Sequence, residues 1–236
     1  MDKREKILSV KKQLSESWKC DIAAFDSTQN IFLETQDTFF QMITFGQNVV
    51  MRVDKLMVEW CYEKFNSTPA NLIMDSDNFY LINDKLRYFG KKLGEENTRY
   101  LHLFPEKTVE KPAHFDYKMY NQHTIEDIYK HKGFDNALDY NNELFAIAAY
   151  DGETIAAVGG VDNNLGGLIW QIGIDTVLKY RNQGLGVYLV KELAIEIERH
   201  KKIACYTTWN ANLASTRLAL HAGFSPVWIE YSSDSI

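Results

Sequence analysis

The sequence predicts an α/β fold of the α+β kind, and two features of its second half carry that reading. Apolar runs at 143–150 and 154–161 flank Asp151-Gly152, a strong hairpin signal. A strand at 167–176 follows, then a helix to about residue 200, a strand at 203–208, a helix at 212–222 and a strand at 224–231. Meander, helix, strand, helix, strand is not simple βαβ alternation, so a sheet with flanking helices is expected.

The individual elements follow from periodicity and punctuation. Residues 5–18 place Ile7, Val10, Leu14 and Trp18 on one side of a helix. Two strands, 39–45 and 48–53, surround Gly46, and Asp54 can cap a helix carrying Leu56, Met57, Trp60, Cys61 and Phe65. A helix over 77–89 turns Phe79, Ile82, Leu86 and Phe89 inward and stops at Gly90. A strand at 99–104 ends at Pro105, and the proline-containing, charge-alternating stretch 105–115 is the best boundary. Beyond it come a strand at 115–120, a helix over 124–132 and a shorter helix near 136–140. In the helix that ends near residue 200, Leu185, Leu189, Leu193 and Ile197 recur every four residues.

Composition narrows the class of protein. The chain has 236 residues, room for one large domain or two modest ones, and 45% are hydrophobic against 25% charged, an ordinary globular balance. The longest apolar stretch, 144–150, is far short of a membrane span, and the charged amino terminus lacks the apolar core of a signal peptide. Cys20, Cys61 and Cys205 lie far apart with no CxxC, which argues against a disulfide framework or a thiolate metal site. A formal charge of −6 disfavours nonspecific nucleic-acid binding. A cytoplasmic protein, with no membrane or nucleic-acid partner, is expected.

The chemistry is concentrated at the junction of the 167–176 strand and the helix after it. Arg181-Asn182-Gln183-Gly184-Leu185-Gly186 is a turn whose glycines let backbone approach a ligand closely. The free N–H groups of the following first helical turn, at the positive end of the dipole, suit a phosphate or pyrophosphate. A glycine-capped turn is the alternative explanation. The Rossmann pattern would need a glycine at Leu189, and the P-loop would need Lys-Ser/Thr after the last glycine; neither is present. A second element, Asn212-Leu213-Ala214-Ser215 followed by Gly223-Phe224, opens and closes the last helix.

With both elements in this order, the chain resembles the GNAT N-acetyltransferase superfamily over residues 113–236. The family's pyrophosphate loop, Arg/Gln-x-x-Gly-x-Gly/Ala, is matched at Arg181, Gly184 and Gly186. Its Asn-x-x-Ser/Ala helix start and later Gly-Phe are matched at Asn212, Ser215, Gly223 and Phe224. The amino-terminal half resembles the extra module carried by some bacterial two-part members. The resemblance implies the GNAT acyl-CoA N-acyltransferase fold, a mixed twisted sheet with flanking helices, preceded by a smaller α/β amino-terminal subdomain. The implied division is 1–112, an acceptor-determining module, and 113–236, the acetyltransferase domain.

The resemblance also implies roles. The pantetheine arm of acetyl-CoA would pair like an extra strand with the backbone of Ile174 and Thr176, and the Ile174 N–H would polarise the thioester carbonyl. Backbone N–H groups of Asn182, Gln183, Gly184, Leu185, Gly186 and Val187 would cradle the pyrophosphate, with the Arg181 side chain nearby. Asn212 would bond the pantetheine arm, and Ser215 would sit one turn on, towards the nucleotide; the other role of Asn212 is a helix N-cap. Two family positions depart from the pattern. Ala219 stands where many members place a tyrosine acid, and Trp170 stands where some place a glutamate base.

Acid and base candidates therefore come from position alone. Asp175 could drain a proton through water, or could instead anchor a turn or the sheet. Tyr206 could act as a replacement acid, or could be core. Trp170, Gln171 and Trp209 are candidates to wall the acceptor pocket, or to serve as packing. His123, Asp127 and His131 share one face of the predicted helix, where a solvated surface is favoured over a metal site, and no metal is expected. The expected activity is transfer of an acetyl or short acyl group from acetyl-CoA to an amine by direct attack, with no acyl-enzyme. The competing expectation is a CoA-binding sensor without transferase activity, consistent with Ala219 and Trp170.

Overall fold

In chain order the elements are α1 (Lys3–Trp18), β1 (Ile31–Glu34), β2 (Phe40–Thr44), β3 (Val49–Val53), α2 (Lys55–Phe65), α3 (Ala70–Ile73) and α4 (Ser76–Arg87). Next come β4 (Lys91–Leu93), β5 (Asn97–His102), β6 (Asp116–Tyr120), α5 (Ile125–Tyr129), β7 (Phe145–Asp151), β8 (Thr154–Asp162) and β9 (Ile169–Thr176). The last are α6 (Leu185–Arg199), β10 (Ile203–Thr208), α7 (Leu213–His221) and β11 (Phe224–Ser235). This is a computed structural model, and it describes residues 1–94 and 96–235. The fold is mixed α/β and divides into two compact units: Met1–Lys6 with Tyr100–Pro226, and Ile7–Arg99 with Val227–Ile236. Among the described residues no helix is long and apolar enough to cross a membrane.

In the second of these units β1 runs parallel to β3, and β3 pairs antiparallel with β2, whose other edge pairs antiparallel with β11. The Asp54 carboxylate accepts the Leu56 N–H and starts α2, which turns Met57, Cys61 and Phe65 into the core with no exposed surface. Leu56, expected on the same face, is 57% exposed because it lies beside the i, i+4, i+8 row that meets the sheet. Asp75 accepts from the Asn78 N–H and starts α4, burying Ile82 and Leu86. The four-residue β1 is absent from the sequence reading; its run of IFLE has no alternation to mark it.

The other unit is built on β6–β10. Strands β6, β7, β8 and β9 form an antiparallel meander, the β7–β8 hairpin turning at Gly152 with φ +59°. β10 joins β9 in parallel, so the sheet is mixed. Leu185, Leu189, Leu193 and Ile197 of α6 are all at most 1% exposed and cover one face. Ile125 and Ile128 of α5, with Phe134 and Leu138, cover the other. The short helix expected near 136–140 is instead a series of turns. Carboxylates take main-chain N–H groups there: Asp175 accepts from Asn136 and Ala137, and Glu143 accepts from Asp139. Because α5 ends at Tyr129, the His123, Asp127 and His131 helical face does not form, and Asp127 pairs with Lys130.

A buried ion pair ties the first residues of this unit to α6. Lys6 Nζ donates to Glu198 Oε1 at 2.6 Å and to the His102 carbonyl at 2.7 Å, and His102 Nδ1 lies 2.8 Å from the same Glu198 oxygen. Burial alone would raise the Glu198 carboxyl pKa, but the hydrogen bonds from His102 and Lys6 outweigh it and hold the group below its ordinary value. A depressed carboxylate contributes stability that is complete above its unfolded pKa and is lost as pH falls through the folded one. Glu198→Gln leaves the Lys6 ammonium buried without its counter-charge, so at pH 7 it should lower unfolding free energy by about 2–3 kcal/mol. Denaturation followed from pH 7 downward should show that difference shrinking once pH falls below the ordinary glutamate value of ~4.3, and vanishing only as the lowered folded pKa of the wild-type carboxyl is passed.

Candidate functional site

The site begins where two parallel strands part. β10 pairs with β9 from Ile203↔Ile169 to Tyr206↔Ile172; beyond that β9 runs on to Thr176 and β10 to Thr208. β9 keeps β8 on its other side from Gln171↔Asp162 to Thr176↔Ala157. Val177 N–H, just past the strand, donates to Ala156 of β8 at 3.0 Å. Main-chain groups alternate sides along a strand, so those of Ile174 and Thr176 point away from β8, towards the side that β10 has left. Arg181 Nε donates to the Thr176 carbonyl at 3.1 Å, in keeping with that direction.

The gap opens into a cleft of about 810 Å³, within the usual range for ligand sites. Its walls include Ile174, Asp175, Thr176, Arg181, Asn182, Gly184, Leu185, Gly186, Val187, Tyr206, Asn212 and Ser215, so the sequence candidates converge on one place. Gln183 sits in the same turn, exposed, with its Nε2 donating to the Lys179 carbonyl.

The turn before α6 has a constrained backbone. Asn182 has φ +62° and Gly184, the N-cap, has φ +81°, a left-handed geometry that favours glycine. Gly184 offers no side-chain cap, and its carbonyl accepts from Tyr188 N–H, so the N–H groups ahead of Tyr188 have no partner in the helical ladder. At Gly186 a Cβ would lie 2.7 Å from Leu218 Cδ1 and 3.5 Å from Thr176 Oγ1, so its absence lets α6, α7 and β9 meet at the cleft floor. Across from it Asn212 caps α7 through Oδ1, which accepts the Ser215 N–H at 3.2 Å.

Side-chain alternation gives the cleft two faces. Ile172 and Ile174 pack with the core beneath α6, as does Tyr206 on β10. Gln171, Gly173 and Asp175 face the opposite way, and Thr207 Oγ1 donates to Gln171 Oε1 at 2.9 Å on that side. Residues 136 and 137 lie against this second face. A Cβ on Gly173 would come 2.2 Å from the Asn136 carbonyl, and one on its cross-strand partner Gly160 would come 2.2 Å from the Ala137 carbonyl. Asp175 Oδ2 accepts from Asn136 N–H (2.8 Å) and Ala137 N–H (3.1 Å), and Oδ1 accepts from Asn136 Nδ2 (2.8 Å).

The other candidates separate cleanly. Tyr206 is 3% exposed yet reaches the cleft; burial raises its phenol pKa, a hydrogen bond with Ser215 pulls it partly back, and the Asp175 charge raises it further. Such a phenol keeps its proton at neutral pH. Gln171 and Trp209 line the cleft, whereas Trp170 packs against Phe145 and His200, with Lys202 over its ring. Cys205 is fully buried and is not part of the cleft wall. Asn136, Thr207, Arg217 and His221 also line the cleft and were not singled out in the sequence. Arg217 and His221 were legible in principle, being i, i+4 on α7; Asn136 was not, because it arrives from a loop.

A profile of the acetyltransferase (GNAT) family matches residues 103–224, more than half of the chain. The chain belongs to that family. The match starts at residue 103, so helices α1–α4 and strands β1–β5 lie ahead of it in sequence. Among solved structures, the chain is similar to a GNAT-family protein from Novosphingobium aromaticivorans at 12% identity, with 61% of this chain and 66% of that one covered and a TM-score of 0.47. An acetyltransferase of the GNAT family from Colwellia psychrerythraea aligns at 11% identity over 61% of this chain and 57% of its own, with a TM-score of 0.45. The chain thus spans less than two thirds of either protein's length. A protein from Salmonella typhimurium, described with its cofactor acetyl-CoA, aligns at 12% identity over 52% of this chain and 94% of its own, with a TM-score of 0.38. No curated protein matches the chain significantly.

The glycine pair on the second face generates a stability prediction. Gly173→Ala pushes a methyl into a main-chain carbonyl and should cost about 1–3 kcal/mol in urea unfolding. Gly159→Ala makes its one tight contact with the end of a side chain, Leu193 Cδ1 at 2.7 Å, and should cost less. Equal effects from the two would show that the 136–137 segment does not rest on Gly173.

Proposed function

We propose that this chain transfers an acetyl group from acetyl-CoA to the amine of an acceptor by direct attack, without an acyl-enzyme. The observation that carries the reading is the parting of β9 and β10, with the main chain of Ile174 and Thr176 turned into a gap that runs to a glycine turn rich in free N–H groups. An extended pantetheine arm fits that gap as a strand fits a sheet edge. Main-chain N–H groups from Asn182 to Val187, at the positive end of α6, would hold the pyrophosphate, with the Arg181 side chain close by. Asn212 and Ser215 would flank the arm from α7.

The residues that would act on the reaction follow from charge development. The Ile174 N–H would stabilise the oxyanion that forms when an amine adds to the thioester carbonyl. Tyr206 would supply the proton to the departing thiolate in place of the tyrosine missing at Ala219, since its raised pKa keeps it protonated and it lines the cleft with Ser215. Thiolate departure is undemanding for a thiol of pKa ~8.5. The harder step is the amine: with pKa ~10.4, about one molecule in ~2,500 is neutral at pH 7, a barrier of ~4.6 kcal/mol.

Three measurements test this reading. Calorimetric titration with acetyl-CoA should show Gly184→Glu weakening affinity by at least about tenfold, or ~1.4 kcal/mol, because a carboxylate then faces the phosphates. Unchanged affinity in a folded variant removes the assignment. Turnover of amines, followed by CoA thiol release, should rise from pH 6 to pH 8 as the nucleophile deprotonates, and Cys205→Ala should keep most activity while Tyr206→Phe loses only about twofold to fivefold in kcat, because thiolate departure is not the hard step. Mass spectrometry after acetyl-CoA alone should find no acetylated protein thiol; a stoichiometric adduct consumed by added amine would overturn direct transfer.

A further inference from the structure

Resting on the acetyl-transfer reading, we infer that Asp175 is a positioning residue for the acceptor side of the cleft, where it fixes Asn136 as the group that meets the amine. Three N–H groups converge on its two oxygens: Asn136 N and Ala137 N on Oδ2, and Asn136 Nδ2 on Oδ1. Taking a substrate proton would mean giving up these bonds. The same carboxylate instead draws residues 136 and 137 onto the Gly160–Gly173 pair of β8 and β9, where any side chain would collide with their carbonyls.

The consequence for Asn136 is an orientation. A carboxylate only accepts hydrogen bonds, so the amide nitrogen of Asn136 must face Asp175, which turns its Oδ1 away from that carboxylate. Asn136 lines the cleft on the face shared with Gln171 and Thr207, opposite the face that carries α6 and Tyr206. An amide oxygen held there accepts an N–H from an approaching primary amine and helps align its lone pair with the thioester carbon. The proton leaves the amine through solvent in the open cleft, not to Asp175.

The experiment compares wild type, Asp175→Ala, Asp175→Asn and Asn136→Ala by three readouts: hydrogen exchange of residues 134–138, calorimetry with acetyl-CoA, and steady-state kinetics with glycinamide, spermidine and tyramine as amine probes. Asp175→Ala should speed exchange of the segment by about tenfold or more. It should raise KM for the amine by about tenfold while changing kcat and acetyl-CoA affinity only about twofold. Asp175→Asn, whose amide oxygen still accepts a main-chain N–H, should recover part of the protection and part of the KM. Asn136→Ala should reproduce the KM increase. A fall in kcat of about a hundredfold or more in Asp175→Asn, with KM unchanged and the segment still protected, would make Asp175 the base and overturn the inference. Unchanged exchange in both Asp175 variants would overturn it as well. Failure of wild type to bind acetyl-CoA would instead strike the acetyl-transfer reading, while the exchange arm decides the anchor by itself.

Discussion

A backbone that leaves its partner strand must find new partners for its N–H and C=O groups or offer them to a ligand. The cleft of this chain is built around one such departure, after Ile172 and Tyr206. β9 is kept extended by β8 on its far side, so the groups of Ile174 and Thr176 are held in a strand-like row with no strand opposite. The arrangement asks little of side chains at the reacting point. That suits acyl transfer from a good leaving group, where orientation and a fixed N–H dipole do most of the catalysis.

The walls of the gap are set by glycines of different kinds. Gly184 is required by its left-handed backbone, and Gly186 by the close approach of Leu218. Gly160 and Gly173 have ordinary backbone angles and are required by something outside their strands, the carbonyls of residues 136 and 137. The first pair shapes the α6 side, where an anion is favoured by the helix terminus. The second pair admits a loop to the opposite face. On the proposed function, the sheet would separate a side for the nucleotide carrier from a side for the acceptor, with the parted strands as the passage joining them.

Polar burial elsewhere follows the same economy of partners. Glu198 accepts from Lys6 and His102, and Lys191, its pKa lowered by burial, donates to the Pro105 and Lys107 carbonyls. Each joins segments remote in sequence within one unit, so each was invisible to periodicity. Asp175 belongs with them in kind: a carboxylate on a strand whose partners come from 38 and 39 residues away.

Local signals determined much of this protein. The hairpin at Asp151-Gly152, the four-residue repeat of Leu185 to Ile197, the caps at Asp54 and Asn212, and the paired motifs at Arg181–Gly186 and Asn212–Phe224 act within a turn or two of themselves, so their meaning is written in neighbouring residues. The glycine turn ahead of α6 and the family were legible for that reason. The short helix expected near 136–140 was not formed, because its N–H groups are taken by Asp175 and Glu143. Likewise Trp170 turned to Phe145 and His200 and not to the cleft, while Asn136 and Thr207 entered it. These outcomes rest on contacts between distant segments, and only the tertiary structure could decide which carboxylate, carbonyl or ring would arrive there first.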